Sequence, residues 1–247
     1  MTAPIAVLTG ASSGIGAAVL HRLREAGYEC LVVGLTEPAG AEFVRHDLSD
    51  PDDAALAAAA VRRRLDERGR AAALLVNNAG GARPVAAADL DAERVGRDVT
   101  LNLTAPMLLC AAVLPGMRAA GGGAIVNVAS TAGRTGVAYL PTYSAAKAGL
   151  IAYTQSLAAE CAGAGIHANC VCPGAVDTGS AREGRSELSR RHGLDPGAYQ
   201  QGMAGRTGLG RLLTAAEVAD VVLWLGTAAG RAVNGQAVNV CGTLTME

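Results

Sequence analysis

The stretch Thr9-Gly10-Ala11-Ser12-Ser13-Gly14-Ile15-Gly16 directly follows the first apolar run of the chain, Ile5–Leu8. The first two glycines let the backbone turn sharply and leave no Cβ between it and a ligand. The third lets a following helix pack close to the strand. Such a helix directs its unpaired N–H groups and its positive dipole end at the turn. The pattern therefore predicts a strand–turn–helix unit that can cradle a pyrophosphate, although a tight turn without any ligand also fits it.

Short apolar runs alternate with helical patterns along the rest of the chain, as is typical of strands buried on both faces of a parallel sheet. The runs are Ile5–Leu8, Cys30–Val33, Leu74–Val76, Ile125–Val128, Ala168–Cys172 and Ala237–Val240. Helices are expected near residues 14–26, 52–68, 91–119, 142–163 and 214–228, with Asp52 and Thr214 as N-caps. The alternation predicts right-handed crossovers and a Rossmann-like, doubly wound α/β sheet in a single domain, residues 1–247.

Two segments depart from this alternation. Residues 35–45 are few and contain Pro38 and Gly40, so we expect a loop in place of a helix there. Residues 179–210 are rich in Gly, Arg and Ser. A segment of that length is unusual in a compact domain unless it forms a lid or binding loop or carries short helices of its own.

Composition narrows the function classes. The chain has 247 residues, half of them hydrophobic, and a net charge of −1, so it offers no argument for nucleic-acid or membrane binding. The apolar runs are interrupted by glycines and polar residues, which argues against a membrane span. The N-terminus lacks the features of a signal peptide. The six cysteines are scattered, so we expect reduced, packed thiols and a cytoplasmic protein.

Four further residues fit acid–base chemistry. Tyr143 and Lys147 are four residues apart and share one face of a predicted helix, so the ammonium is expected to lower the pKa of the phenol. Ser130 ends a predicted strand, where its hydroxyl can stabilise a developing negative charge. Asn102 lies within a long helical pattern, where asparagine is mildly unfavourable. Each residue alone fits a structural role equally well, but together they predict proton and hydride transfer.

In combination, these motifs resemble the classical short-chain dehydrogenase/reductase family, and the resemblance covers nearly the whole chain. Three more segments match it, namely His46-Asp47-Leu48, Asn77-Asn78-Ala79-Gly80 and Pro173-Gly174-Ala175-Val176-Asp177-Thr178. The resemblance implies an NAD(P)-dependent enzyme that interconverts a secondary alcohol and a ketone. It implies a catalytic tetrad of Asn102, Ser130, Tyr143 and Lys147. In this tetrad the tyrosine is the general acid and base, and the asparagine distorts its helix and holds a water in a proton relay.

The same resemblance implies a set of cofactor contacts and no metal site. Asp47 would contact the adenine, Lys147 the nicotinamide ribose, and the segment from Pro173 to Thr178 the carboxamide. The full set is Gly10, Ser12, Ser13, Gly14, Ile15, Gly16, Leu35, Asp47, Leu48, Asn78, Ala79, Gly80, Tyr143, Lys147, Pro173, Gly174, Val176 and Thr178.

The choice between the two nicotinamide cofactors is normally made after the second strand. An acid there binds the ribose hydroxyl of NAD, whereas an arginine accommodates the phosphate of NADP. Gly34 and Leu35 supply neither group, and Ser13 is not basic. The missing cations slightly favour NAD, and Glu37 would repel a phosphate, whereas Arg45 could reverse the preference.

Substrate and assembly are less determined. The arginines and histidine around the expected pocket could recognise an acidic small molecule or form a solvated loop surface; they are Arg83, Arg134, Arg182, Arg185, Arg190, Arg191 and His192. Two other functions stay open, a cofactor-sensing scaffold without turnover and an epimerase or dehydratase that uses the same tyrosine.

The helices near 91–119 and 142–163 carry more apolar residues than one buried face needs, which predicts a homo-oligomer, with a tetramer favoured over a dimer.

Overall fold

The centre of the molecule is one parallel sheet of seven strands in the order β3-β2-β1-β4-β5-β6-β7. It comes from a computed structural model that describes residues 2–246. The strands are β1 (Ile5–Thr9), β2 (Glu29–Gly34), β3 (Glu42–Arg45), β4 (Ala72–Asn77), β5 (Gly123–Val128), β6 (Ile166–Pro173) and β7 (Ala237–Val240). The chain moves outward from β1 in one direction and then, from β4, in the other. This arrangement confirms the predicted doubly wound α/β sheet, and it leaves a crevice at the carboxyl ends of β1 and β4.

Helices cover both faces of the sheet. Those in the described residues are α1 (Gly14–Glu25), α2 (Pro51–Glu67), α3 (Ala92–Val99), α4 (Ala105–Ala119), α5 (Pro141–Cys161), α6 (Gly179–Arg191), α7 (Pro196–Gly205) and α8 (Ala215–Gly226). Because alternate strand residues point to opposite faces, β1 contributes Ala6 and Leu8 to the core under α1 and α8. It contributes Ile5 and Val7 to the core under α2, α4 and α5.

The sequence pattern missed β3. Only Phe43 and Val44 are apolar in this four-residue strand, which lies at the edge of the sheet and is only partly buried. Glu42, at its start, forms ion pairs with Arg64 and Arg68 around α2. A short edge strand with charged ends lacks the continuous apolar run of a central strand. The loop between β2 and β3 contains no helix, as expected.

Helix starts follow capping chemistry. Thr214 caps α8 in a reciprocal capping box with Glu217, which confirms that prediction. The prediction of Asp52 as a cap is wrong. Asp50 caps α2 by accepting hydrogen bonds from the N–H groups of Asp52 and Asp53, because Pro51 takes the first helical position. Residues 179–210 contain two short helices, α6 and α7, capped by Thr178 and Asp195.

The helical run from Ala92 to Ala119 is not regular throughout. Thr100–Thr104 form a π-helical segment between α3 and α4. The run has 28 residues and its most apolar stretch has a mean hydropathy of 1.6, so length and composition alone would allow it to cross a membrane. A soluble core helix has the same pattern, and Leu109, Val113 and Met117 are buried against the sheet. Only 39% of its most apolar stretch is buried within one chain.

All six cysteines are free thiols. Cys170 and Cys172 lie on the same face of β6 because they are two residues apart, and they pack with Leu150 and Ile151 of α5. Both thiols are fully buried, and burial raises the pKa of Cys170 to about 12. They are therefore packing residues in this fold, as expected from their scattered positions.

The junction of β1 and α1 yields a stability test. A Cβ on Gly16 would lie 2.0 Å from the carbonyl oxygen of Gly10 and 2.5 Å from Nδ2 of Asn78. Gly16→Ala should therefore lower the free energy of unfolding by about 1–3 kcal/mol or more. Gly96→Ala is the matched control, since Gly96 lies in α3 with open space around it. That variant should be neutral or more stable by up to about 1 kcal/mol. Urea denaturation followed by circular dichroism measures both, and equal stabilities would contradict the packing constraint.

Candidate active site

The phosphate-binding turn is fixed to the neighbouring strand by a small set of hydrogen bonds. The hydroxyl oxygen of Thr9, the last residue of β1, accepts from the N–H groups of Asn78 (3.0 Å) and Ala79 (2.8 Å). Nδ2 of Asn78 donates to the carbonyl oxygens of Thr9 (3.0 Å) and Gly10 (2.9 Å). Two segments that are far apart in sequence thus form one wall of the crevice. Sequence reasoning missed Thr9, whose position as the last residue of a buried strand was its only signal.

The start of α1 fits a bound phosphate. The N-cap residue, Ser13, makes no side-chain hydrogen bond to the helix, and its first turn contains no acid. By contrast, side chains cap α2, α3, α6, α7 and α8. A Cβ on Gly10 would lie 2.9 Å from the Cα of Ala79, so the turn admits only glycine there. The helix therefore presents uncapped N–H groups next to bare backbone, which is the geometry that binds a pyrophosphate.

The predicted adenosine contacts lie at the ends of β2 and β3. Leu35 follows β2 and is 57% exposed. Asp47 and Leu48 follow β3, and Oδ1 of Asp47 accepts hydrogen bonds from the N–H (2.9 Å) and hydroxyl (2.6 Å) of Ser49. These hydrogen bonds, aided by Arg97, lower the pKa of Asp47. The carboxylate is therefore ionised and held in place at neutral pH, which suits a hydrogen-bond acceptor.

Lys147 is buried beneath the carboxyl end of β5. Its side chain is 3% exposed, and Nζ donates to the carbonyl oxygen of Val128 at 2.8 Å. The turn Thr131–Gly133 packs directly on it, since a Cβ on Gly133 would lie 2.7 Å from the carbonyl carbon of Lys147. Burial penalises the charged form and lowers the pKa of Lys147 to about 8. The ammonium can therefore lose its proton near physiological pH.

The side chains of Tyr143 and Ser130 are close enough to hydrogen-bond. The Lys147 Nζ is 5.7 Å from the centre of the Tyr143 ring, which confirms that the two residues share a helix face. The pKa of Tyr143 is raised, because burial outweighs hydrogen bonding to the Ser130 hydroxyl, which lowers it. The expected lowering of this pKa by Lys147 is thus not found. The lysine is itself desolvated, so it does not offset the burial of the phenol.

Asn102 explains the break in its helix. It lies in the π-helical segment and is fully buried. Its Nδ2 donates to the carbonyl oxygens of Gly81 (3.0 Å) and Asp98 (2.9 Å), and its Oδ1 accepts from the N–H of Gly81 (3.1 Å). The side chain therefore bonds the backbone of the segment after β4 in both directions. π-Helical turns within α-helices are frequent at functional sites.

Gly80 is the point at which these groups meet. A Cβ there would lie 2.9 Å from Oδ1 of Asn102 and 3.1 Å from Nζ of Lys147. The glycine belongs to the segment that Thr9 and Asn102 hold. The structure thus brings Asn102, Lys147, Tyr143 and Ser130 together at the carboxyl ends of β4 and β5, beside the turn after β1. An acid–base pair at this place can exchange a proton with a carbonyl oxygen next to a bound dinucleotide.

A buried polar network lies behind this site and was not predicted. Nδ2 of Asn77 donates to Oδ1 of Asn127 (2.8 Å), and Nδ2 of Asn127 donates to the hydroxyl of Thr154 (2.8 Å). Thr154 in turn donates to the carbonyl oxygen of Leu150 (2.6 Å). These bonds join β4 and β5 to α5, the helix that carries Tyr143 and Lys147. Polar residues inside otherwise apolar strands were the available signal.

The segment Pro173–Thr178 joins the sheet to helices α6 and α7. Thr178 caps α6 and also packs on the phosphate turn, since a Cβ on Gly14 would lie 3.2 Å from its Cγ2. Nη1 of Arg185 donates to the carbonyl oxygen of Val176 at 2.9 Å. The Nε and Nη2 atoms of Arg185 are buried without a hydrogen-bond partner, although Asp177 lies 3.6 Å from Nη2. The segment predicted to bind the carboxamide therefore contacts both the turn after β1 and helix α6.

The other arginines near the pocket are largely neutralised within the chain. Arg182 forms a bidentate pair with Asp177 (2.8 and 3.2 Å), and both Arg190 and Arg191 pair with Glu187. Arg134 donates to the carbonyl oxygen of Ala237. These contacts favour a solvated surface over a cluster that binds an acidic substrate, because the arginines already pair with groups of the same chain.

Aromatic contacts join the segment before α5 to helices α6 and α7. Tyr139 packs edge-to-face on His192 at 5.2 Å, and His192 stacks on Tyr199 of α7 at 6.1 Å. Tyr139 has a φ of +64°, and its carbonyl oxygen accepts from the N–H of Val85 at 2.8 Å. A non-glycine residue in this region is held there by its surroundings, and such residues cluster at ligand sites.

Comparison with known proteins agrees with this geometry. A family model described as short chain dehydrogenase matches residues 4–189. A granaticin polyketide synthase putative ketoacyl reductase from Streptomyces violaceoruber is 35% identical, covering 98% of this chain and 93% of that protein. The cis-4-hydroxycyclohexanecarboxylate dehydrogenase of Sinomonas cyclohexanicum is 37% identical, covering 98% and 96%. The crystal structure of an actinorhodin polyketide ketoreductase variant with NADPH superimposes with a TM-score of 0.89 at 33% identity, covering 98% and 97%.

The burial of Lys147 predicts a pH dependence of stability. Its pKa is about 8 in the folded chain and 10.5 when solvated, so between these values the unfolded chain binds more protons at this residue. Stability should therefore rise with pH in this window relative to Lys147→Met, by up to about 1.4 kcal/mol per pH unit. Below pH 8 both states are protonated and the difference should be constant. Urea denaturation of both proteins from pH 7 to pH 10 measures this, and parallel curves throughout would contradict the burial of the ammonium.

Proposed function

Because this chain belongs to the short-chain dehydrogenase family, we propose that it is an NAD(P)(H)-dependent oxidoreductase that interconverts a secondary alcohol and a ketone on a small-molecule substrate. The observation that carries the proposal is the meeting of Asn102 and Lys147 at Gly80. This places the acid–base residues beside a turn that suits the phosphates of a dinucleotide. The two related enzymes named above, a ketoacyl reductase and a hydroxycyclohexanecarboxylate dehydrogenase, differ in substrate but share this type of reaction.

The proposed mechanism assigns the proton to Tyr143. When bound, the nicotinamide supplies or accepts the hydride. In the direction of reduction, the Tyr143 hydroxyl donates its proton to the carbonyl oxygen as the alcohol forms. The Ser130 hydroxyl donates a hydrogen bond to the same oxygen and stabilises the charge that develops there. In the direction of oxidation, Tyr143 takes the proton back from the alcohol.

Lys147 and Asn102 act behind the tyrosine in this proposal. An ammonium near the phenol stabilises the phenolate that oxidation requires, and the carbonyl oxygen of Val128 holds Nζ in place. Asn102 fixes the segment at Gly81 that, with Gly80, forms the floor of the nicotinamide pocket. We also propose that the π-helical turn around Asn102 leaves room for a water that returns protons to Lys147.

The cofactor would lie across the carboxyl ends of β1 and β4. Its pyrophosphate would bind the uncapped N–H groups at Gly14 and Ile15, its adenine Asp47 and Leu48, and its carboxamide the segment that ends at Thr178. The slight preference for NAD predicted from Gly34 and Leu35 finds no support among the relatives, since the actinorhodin ketoreductase structure contains NADPH. The proposal therefore covers NAD(P)(H) as a class.

The alternative functions are not favoured. A cofactor-sensing scaffold has no need for a proton donor, and here all four members of the tetrad are assembled. An epimerase or dehydratase would use the same tyrosine but would produce no net change in nicotinamide absorbance. Cyclic alcohols, hydroxy acids, sugars and β-ketoacyl thioesters, each tested with both cofactors, would distinguish these reactions and identify the substrate class. We place the enzyme in the cytoplasm, where its six free thiols stay reduced.

Removal of the proton donor tests the mechanism. Tyr143→Phe should reduce kcat by about a hundredfold or more, because general acid–base catalysis contributes on that scale. Binding of NADH or NADPH, followed by the fluorescence of the reduced nicotinamide, should change little. Tyr28→Phe is the matched control, since it removes a partly buried hydroxyl between α1 and β2. Near-normal turnover in Tyr143→Phe would contradict the assignment.

Assembly is the second prediction of this proposal. The apolar residues that were predicted to exceed one buried helix face fall into two groups. Cys110 and Leu150 are buried in the chain, whereas Met107 on α4 is 38% exposed and remains at the surface. We therefore propose a homotetramer, favoured over a dimer, with two-fold axes through α4 and α5. Light scattering at micromolar concentration should give a mass of several chains. Met107→Lys should lower that mass, whereas Leu56→Lys, at a position of α2 that is 60% exposed, should not. A fully active single chain would contradict the assembly.

A further inference from the structure

The first turn of α5 carries Tyr143, but its own residues do not cap it. The N-cap residue, Leu140, makes no side-chain hydrogen bond to the helix, and the first turn contains no acid. Pro141 and Thr142 take the first two helical positions, so Tyr143 is the third. Helix ends without such partners leave N–H groups unsatisfied and fray readily. Because proton transfer requires a fixed position of the hydroxyl, support from another element matters here.

The carboxylate of Asp98, in α3, provides this support from 44 residues earlier in the chain. Its Oδ2 accepts a hydrogen bond of 2.6 Å from the hydroxyl of Thr142, the residue directly before Tyr143. Thr142 is buried, and the Asp98 side chain is only 15% exposed. Hydrogen bonds to an ionised acceptor are stronger than neutral ones, and a negative charge beside a helix N-terminus is favourable. Asp98 therefore takes the place of the missing cap.

Arg94 fixes the orientation of this carboxylate. It lies one turn earlier in α3, and its Nε donates to the same Oδ2 of Asp98 at 3.0 Å. Its Nη2 donates to the carbonyl oxygen of Arg83. One guanidinium thus bonds both the carboxylate and the segment after β4. No role in the site has been given so far to the side chain of Arg94 or of Asp98.

The same residues connect three parts of the site. The backbone carbonyl oxygen of Asp98 accepts from Nδ2 of Asn102 at 2.9 Å, and Asn102 bonds Gly81 in both directions. The N–H of Val85 donates to the carbonyl oxygen of Tyr139 at 2.8 Å, which joins the segment after β4 to the loop before α5. The start of α5, the π-helical turn and the segment after β4 are therefore held together around Asp98.

A contact that only tied α3 to α5 could lie anywhere along the two helices. This one ends at the residue before the proposed proton donor, and it begins at the residue whose carbonyl group holds Asn102. Its two ends therefore coincide with the two sides of the site that have to stay aligned.

We propose that Asp98 is a positioning residue for Tyr143. Its carboxylate, oriented by Arg94, fixes Thr142 and thereby places the Tyr143 hydroxyl relative to the segment Gly80–Gly81, on which the nicotinamide would lie. The inference rests on the proposed function and deepens it, because it adds a residue that serves the reaction without touching substrate or cofactor.

The first test measures turnover of the substrate that the panel identifies. Thr142→Val keeps the shape of the side chain and removes its hydroxyl. It should lower kcat by about tenfold or more, because misplacement of a reacting group by about 1 Å can cost up to about a hundredfold. NADH or NADPH affinity should stay within about twofold, since no cofactor contact is lost. Thr142→Ser, which keeps the hydroxyl, should retain kcat within about twofold.

Variants of Asp98 test the other end of the same hydrogen bond. Asp98→Ala should lower kcat as much as Thr142→Val, and Asp98→Asn, which keeps an acceptor oxygen, should lower it less. The double variant Asp98→Ala/Thr142→Val should be no slower than the slower single variant, because both changes remove one interaction.

Thr207→Val is the matched control. Thr207 is also buried, and its hydroxyl oxygen lies 2.9 and 2.8 Å from the carbonyl oxygens of Ala204 and Arg211. The substitution removes a buried hydroxyl outside α5 and should leave kcat unaltered. Urea denaturation of each variant verifies that the chain is folded under the assay conditions.

A second measurement needs no substrate. Hydrogen–deuterium exchange of the full chain, followed by mass spectrometry, reports opening of the first turn of α5, where the N–H of Ser144 donates to the carbonyl oxygen of Leu140 at 2.9 Å. Exchange there should be about tenfold faster or more in Thr142→Val and Asp98→Ala. It should be unchanged in Thr142→Ser and Thr207→Val.

Several results would overturn the inference. Equal losses of kcat in Thr142→Ser and Thr142→Val would show that the hydroxyl is not the cause. Losses that multiply in the double variant would show that Asp98 and Thr142 act independently, and an equal loss in Thr207→Val would reduce the effect to general destabilisation. If the unaltered chain turns over no member of the panel, the proposed function fails. Unchanged exchange at the start of α5 in Asp98→Ala would contradict the positioning role by itself.

Discussion

The close approach of two backbones at the carboxyl edge of the sheet is the constraint on which the site depends. The turn after β1 and the segment after β4 come so near that a Cβ on Gly10 would collide with Ala79, and one on Gly16 with Gly10. The Thr9 hydroxyl and the Asn78 side-chain amide stabilise this approach with hydrogen bonds that replace those the same groups would make to water. The uncapped start of α1 is placed by the same contacts. Without these contacts, the turn after β1 and the segment after β4 would no longer be fixed relative to each other.

The proposed acid–base residues, Tyr143 and Lys147, are in a different situation. Both are desolvated by burial, and interactions within the chain do not offset the cost of burying their charged forms. Desolvation raises the pKa of Tyr143 and lowers that of Lys147 to about 8, so both shifts favour the neutral forms. Of the two, only Lys147 has a pKa near the physiological range, whereas Tyr143 stays neutral there and keeps the proton that a general acid needs. In the proposed enzyme the bound cofactor and substrate would complete the electrostatic environment that sets the working values.

Most of the fold could be predicted from the sequence, because six of the seven strands are mostly apolar runs and the glycine turn has a fixed spacing. What escaped prediction has local physical causes. β3 has two apolar residues between charged ones, and the cap of α2 moved to Asp50 because Pro51 favours the first helical position. Motif spacing placed Tyr143 and Lys147 on one helix face but gave no access to their desolvation, which depends on Val128 and Gly133 packing around them. The network from Asn77 to Thr154 joins three elements, and the polar residues within the strands do not show which of them bond to each other.

Residues of the proposed chemistry could be recognised from the sequence, whereas the charges that select a ligand could not. Glycines, the serine, the tyrosine and the lysine are recognisable because they satisfy constraints at fixed positions near the sheet edge. Charges that select among ligands lie on the periphery, where their effect depends on which partner each one finds. Arg182, Arg190 and Arg191 are neutralised by neighbouring acids on or next to their own helix, so their number in the sequence overstates the charge available to a substrate. Counting basic residues near a motif therefore cannot replace knowing which of them are already paired.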